Sequence, residues 1–184
     1  MCDRAVHGPA LDTEIMILGQ APGVHEGARG RPFAHTAGKT LFKWLKEATG
    51  NDEEDVRELI YFSAVARCFP GKAKSGSGDR VPSRAEIENC RPHWLGEVAA
   101  LRPKLILAVG KLAIAECFRA AGITEPATLD AAVGSAFELE IAGVKTRVIP
   151  LPHPSGVSRW PQTEPGKTLL HQALRRIGRE FRTH

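Results

Sequence analysis

Ile15-Met16-Ile17-Leu18-Gly19-Gln20-Ala21-Pro22-Gly23 is the stretch on which the reading of this chain turns. Four consecutive apolar residues ahead of a turn signal mark a short strand, over 14–18, buried on both faces. Glycine at both ends of the next five residues lets the backbone turn sharply and approach a ligand closely. Pro22 stiffens the turn, and Gln20 offers one acceptor and two donors. A second peptide repeats the plan: Val148-Ile149-Pro150-Leu151-Pro152 runs into His153-Pro154-Ser155-Gly156. In an open α/β sheet ligands sit at the carboxyl ends of the strands. Two loops far apart in sequence are therefore placed over one crevice. The first is not a P-loop, lacking Gly-Lys-Ser/Thr, and its glycine spacing is not the dinucleotide fingerprint. Taken alone, a structural strand-to-helix turn and a packed turn histidine are the plain alternatives.

Outward from these peptides, apolar runs over 59–65, 105–109, 137–141 and 146–149 read as further strands. Helical patterns cover 37–49, where Leu41, Trp44, Leu45 and Ala48 share a face, then 52–59, 111–121 and 167–181. Ser83-Arg84-Ala85-Glu86 is a capping box that opens a helix to about Leu101, kinked or restarted at Pro92. The glycine-rich segments 27–38 and 69–82 read as loops, the second long enough to be functional. Strands alternating with helices give an α/β class: a three-layer α/β/α sandwich around a short, mostly parallel sheet, in a single domain over 1–184.

The 184 residues carry a formal net charge of +4, with a pI near 9.0. This permits a polyanionic partner without requiring one. Lys72, Lys74 and Arg80 lie in the second glycine-rich loop, while Lys167, Arg175, Arg176, Arg179 and Arg182 crowd the final helix. The latter group reads equally as a solvated face or as phosphate contacts. No apolar stretch is long enough to span a bilayer, and Met-Cys-Asp-Arg-Ala-Val-His lacks the apolar core of a signal peptide. The expectation is a cytoplasmic monomer with no membrane partner. Cys2, Cys68, Cys90 and Cys117 are scattered, with no C-x-x-C pair, so thiols or metal ligands are expected rather than disulfides.

His153 can donate a hydrogen bond to developing negative charge. Ser155 can hold a phosphate through its hydroxyl or backbone N–H, but it lacks the setting of a nucleophile elbow. Phe33, in Gly30-Arg31-Pro32-Phe33, is either a stacking platform for a base, worth about 1–3 kcal/mol, or a minor core residue.

Gly-Gln-Ala-Pro-Gly after a strand, Gly-Arg-Pro-Phe, Ala37-Gly38-x-x-Leu41, Cys68-x-Pro70-Gly71 and His153-Pro154-Ser155, in that order, resemble the uracil-DNA glycosylase superfamily. Ala108-Val109-Gly110-Lys111-Leu112-Ala113 also looks like its third strand and turn. The likeness is to family-4 and family-5 type enzymes and runs along nearly the whole chain. It implies an enzyme that flips uracil or a related deaminated base from DNA and hydrolyses its N-glycosidic bond, leaving an abasic site. By this resemblance Gly19, Gln20, Ala21, Pro22 and Gly23 border the base and the water, Phe33 stacks on the base, and His153 stabilises the departing anion. Ser155 and Gly156 hold a phosphate, the loop through Val157, Ser158 and Arg159 enters the minor groove, and Arg159 or Trp160 fills the gap in the stack.

Three positions depart from that pattern. The residue matching the uracil-reading Asn is Ala64, so backbone near Ala64, or Ser63, has to substitute. No carboxylate stands at Gln20 or Ala21. His35 is then a candidate base with a suitable unperturbed pKa, or a surface loop residue. Family-4 type proteins hold a 4Fe–4S cluster through four cysteines. Cys68 and Cys90 resemble the later pair, the earlier pair has no counterpart, and no cluster is expected to be required. The rival readings are a non-catalytic binder of damaged or abasic DNA and a hydrolase of free nucleosides or nucleotides.

Overall fold

The computed structural model describes residues 5–74, 78–156 and 158–182. Its centre is a five-stranded sheet built from β1 (Ile15–Gly19), β2 (Tyr61–Ala64), β3 (Leu105–Val109), β4 (Phe137–Ile141) and β5 (Val144–Leu151). The spatial order is β2-β1-β3-β5-β4. The first four strands in that order pair in parallel, and β4 closes the edge antiparallel to β5. The α/β/α sandwich expected from the sequence is the architecture found.

Side chains alternate across each strand and so feed two cores. Ile15, Ile17, Phe62, Leu105, Leu107 and Ile149 face one layer. That layer holds α2 (Thr36–Thr49) and α7 (Gly166–Glu180), which contribute Leu41, Leu45, Leu174 and Ile177. Met16, Leu18, Ile106, Ala108 and Val148 face the other layer, made by α4 (Arg84–Leu101) and α5 (Lys111–Ala120) with Trp94, Val98, Ile114 and Phe118. The capping box at Ser83 and Glu86 is present.

The structure corrects several local expectations. α4 runs unbroken through Pro92. Pro92 and Glu88, whose carbonyl loses its amide partner, are both exposed, so water can take that place. The glycine-rich segment after the first turn is partly helical: α1 (Val24–Arg29) ends at Gly30 in the left-handed conformation. β5 is longer than expected because Pro150 sits within it. Two short pieces have no clear sequence signal, α6 (Leu129–Ala132) and a 3₁₀ turn at Trp160–Gln162. α3 (Glu53–Leu59) is capped by Asp52. Among the described residues no helix is long and apolar enough to cross a membrane.

Candidate active site

The strands β1, β2, β3 and β5 end side by side, Gly19 opposite Ala64 and Val109 opposite Leu151. Here the chain leaves β1 toward β2 on one side and reaches β3 on the other, the topological switch at which α/β sheets bind ligands. A cleft of about 730 Å³ opens at this edge. Gly19, Gln20, Ala21, Pro22 and Gly23 line it, as do Phe33, His35, Ser63 and Ala64. His153, Ser155 and Gly156 complete the wall expected from the sequence. Of the anticipated residues, Ser158 and Arg159 do not line the cleft. They follow it in the loop leading to the 3₁₀ turn, and Val157 lies outside the described residues.

The first loop is fixed by β2. Val65 N–H donates to the Gly19 carbonyl at 2.9 Å and Ala66 N–H to that of Gln20 at 3.0 Å. Phe33 lies across this loop: a Cβ on Gly19 would sit 3.0 Å from its Cζ. Phe33 is held with φ +52°, a conformation costing an L-residue about 1–2 kcal/mol. Arg57 of α3 holds it there, donating from Nη1 to the Pro32 carbonyl (3.0 Å) and from Nη2 to the Phe33 carbonyl (3.3 Å). The guanidinium also packs on the Phe42 and Phe62 rings, 4.4 and 5.3 Å from their centroids, and pairs with Glu53. Gly38 gives the same carbonyl room, since a Cβ there would lie 1.8 Å from the Phe33 oxygen. Phe33 thus packs partly on the core and still lines the cleft.

His153 sits over the β3 exit, its ring against Gly110. Ser155 N–H points at His153 Nδ1 over 3.2 Å. An acceptor Nδ1 puts the proton of the neutral ring on Nε2, leaving Nε2–H as the donor for the cleft. Burial lowers the imidazole pKa below the ordinary histidine value, opposed in part by the charge of Asp79. With its N–H committed to His153, Ser155 keeps only its hydroxyl for a phosphate.

Ser63 differs from expectation. Its hydroxyl donates to Glu97 of α4, which also receives Tyr61 Oη (2.6 Å) and Arg67. The hydroxyl is turned away into a buried network and is not spare for a base. Ala64 presents a methyl group to the cleft and offers no polar side-chain atom. Trp160 is removed as a DNA wedge: its Nε1 donates to Asp130 at 2.6 Å and its ring packs on the core. Arg159 remains exposed. His35 stands at the N-cap position of α2 at the exposed mouth, its side chain making no cap hydrogen bond and its ring centroid 4.1 Å from that of His25, tilted by 38°. Arg175, Arg179 and Arg182 line a separate hollow with Glu47 and Ala48, near the C-terminal end of α2. α2 starts at the cleft, so this basic group lies at the far end of that helix from the site.

Several cleft residues escaped the sequence reading. Lys72, Asp79 and Arg80 come from the 70–80 loop, which folds back on itself through the Lys72–Asp79 bridge. Arg80 pairs with Glu86, holding that carboxyl down to about 2. Glu26, on α1, is a buried carboxylate in the wall. Its signal was an acid three residues past Gly23, in a segment read as turn and loop. Metal ligation finds no support in the donor set: among the described residues no three His, Cys, Asp or Glu side chains converge. Cys117 is buried in the core with its thiol pushed up to about 12 by that burial.

Comparisons with known proteins point to one family. The model of the Uracil DNA glycosylase superfamily matches residues 5–177. A Type-4 uracil-DNA glycosylase of Archaeoglobus fulgidus is 33% identical over 81% of this chain and 69% of its own length. One from Saccharolobus solfataricus is 27% identical over 89% and 69%. A Type-5 uracil-DNA glycosylase of Pyrobaculum aerophilum is 31% identical over 64% and 53%.

Proposed function

The chain belongs to the uracil-DNA glycosylase superfamily, and from that membership we propose how it acts as a DNA repair glycosylase. It takes a flipped uracil, or a related deaminated base, into the cleft at the strand ends and hydrolyses the N-glycosidic bond. The observation that carries this reading is the pairing of a fixed neutral donor, His153, with a fixed aromatic ring, Phe33, in the wall of one cleft.

The chemistry follows from those groups. Extruding a base costs a few kcal/mol of unpairing and unstacking. Stacking on Phe33 offsets about 1–3 kcal/mol of it. As the C1′–N1 bond breaks, its electron pair moves into the pyrimidine and charge appears on the carbonyl oxygen beside N1. A preorganised donor at that oxygen lowers the barrier without reorganising, because it is in place before the charge exists. His153 Nε2–H supplies it, and a neutral imidazole does so without first losing a proton. Gly19 to Gly23 and the backbone at Ala64 bound the base edge, so pyrimidine choice here rests on shape and main-chain groups rather than on an Asn. Ser155 and Gly156 receive the flanking phosphate.

The test is a single-stranded oligonucleotide carrying one deoxyuridine, incubated with excess protein and then treated with alkali. Strand scission at the uracil position is expected, and an intact strand after prolonged incubation overturns the reading.

A further inference from the structure

Glu26 is at odds with its surroundings. It is only 7% exposed, lines the cleft, and makes no side-chain hydrogen bond or ion pair to another described residue. Nor is it a helix cap, since α1 has no side-chain cap. A carboxylate packed this closely yet open to the cleft is placed to meet a bound group.

A second carboxylate meets it. Asp79 reaches in from the 70–80 loop with Oδ1 tied to Lys72 Nζ at 2.8 Å. A Cβ on Gly23 would meet Glu26 Oε2 at 2.6 Å and Asp79 Oδ2 at 3.1 Å, so the two carboxylate oxygens approach each other beside Gly23, within the span of one bridging water. Both carboxylates and His153 line the one cleft. Two neighbouring acceptors suit a species with two protons to donate, and water is that species. His35, exposed at the mouth, has no such partner.

We propose that Glu26 and Asp79 hold the attacking water, with Glu26 as its catalytic base. The proposal rests on the glycosylase reading above. As the C1′–N1 bond breaks and its electron pair leaves with the base, the water oxygen forms the C1′–O bond. One water proton passes to Glu26, and Asp79 accepts a hydrogen bond from the other and orients the molecule. The departing anion later takes up a proton from solvent, and Glu26 gives its own back. The sum is water added across the glycosidic bond, giving the free base and an abasic sugar. The two negative charges also favour the cationic character that C1′ acquires.

Glu26→Gln and Asp79→Asn test this in single-turnover release of uracil. Affinity is read in parallel on an oligonucleotide whose 2′-fluorodeoxyuridine resists cleavage. Glu26→Gln is expected to lower the rate about 100-fold, the usual worth of a positioned base, while affinity stays within about threefold of the wild type. Asp79→Asn is expected to lower it about tenfold. Should Glu26→Gln fail to fold, Asp79→Asn decides alone, because its side chain lies on an outer loop. An active wild type beside variants of unchanged rate overturns this assignment and leaves the glycosylase reading standing. A wild type that releases no base overturns both.

Discussion

Arg57 does not line the cleft, yet it holds the backbone that sets the Phe33 ring in the cleft wall. Arg57→Met keeps most of the volume between Phe42 and Phe62 and removes both donors to the Pro32 and Phe33 carbonyls. Hydrogen bonds from a charged group contribute about 1.5–3 kcal/mol each. Both carbonyls are only partly buried, so water recovers part of this, and a net loss of about 2–4 kcal/mol is expected. At about 2–4 °C per kcal/mol for a chain of this size, Tm falls by roughly 4–16 °C. The specific consequence is at Phe33. Its left-handed backbone costs about 1–2 kcal/mol, and without Arg57 little opposes relaxation to negative φ, which turns the ring away from Gly19. KM for a uracil-containing oligonucleotide should then rise about tenfold, one stacking interaction's worth, with kcat much less changed. Thermal denaturation and steady-state excision by wild type, Arg57→Met and Arg57→Lys make the assay. Lysine can restore one of the two bonds and should fall between the others. A Tm within about 1 °C of the wild type together with an unchanged KM refutes the reasoning.

Burial holds His153 below the ordinary histidine pKa, so below about pH 6.5 the unfolded chain binds the extra proton first. Stability should then fall as pH drops from about 6.5 toward the folded pKa and stay flat above about 7; His153→Ala should lose this slope in denaturant titrations across pH 5–8. Gly38→Ala, which at an ordinary helix position gains about 1 kcal/mol, should instead lower Tm and cut excision about 10²-fold, because its methyl collides with the Phe33 carbonyl; a stabilised, active variant contradicts the packing described. Ser63→Ala should cost about 1–3 kcal/mol in Tm-derived stability through the Glu97 network. The ratio of uracil release to release of other deaminated bases should not move, and a shifted ratio restores Ser63 as a base reader.

Much of this site could be read in the sequence, for a physical reason. The residues that border the cleft from β1 and β5 follow their strands directly, so a buried apolar run ending in glycine or proline places them at the sheet edge. Gly19 to Gly23 and His153 to Gly156 are of this kind. What escaped was set by contacts between distant segments. Whether Ser63 faces the cleft or Glu97 depends on α4 packing behind β2. Trp160 reads as a free aromatic until Asp130, 30 residues earlier, takes its N–H. Glu26 and Asp79 belong to segments whose glycines read as loop, and only folding brings both carboxylates to Gly23. Pro92 misled because a helix-breaking residue is tolerated where the orphaned carbonyl meets water.

The central claim is that a base flipped into this cleft leaves with its charge met by His153. It is tested most directly by the single-turnover rate of uracil release from a deoxyuridine oligonucleotide, for the wild type and for His153→Ala at equal DNA occupancy. Release by the wild type is expected, with a rate about 10²–10³ lower for the variant and with the fold and DNA affinity retained. Equal rates for the two proteins contradict it.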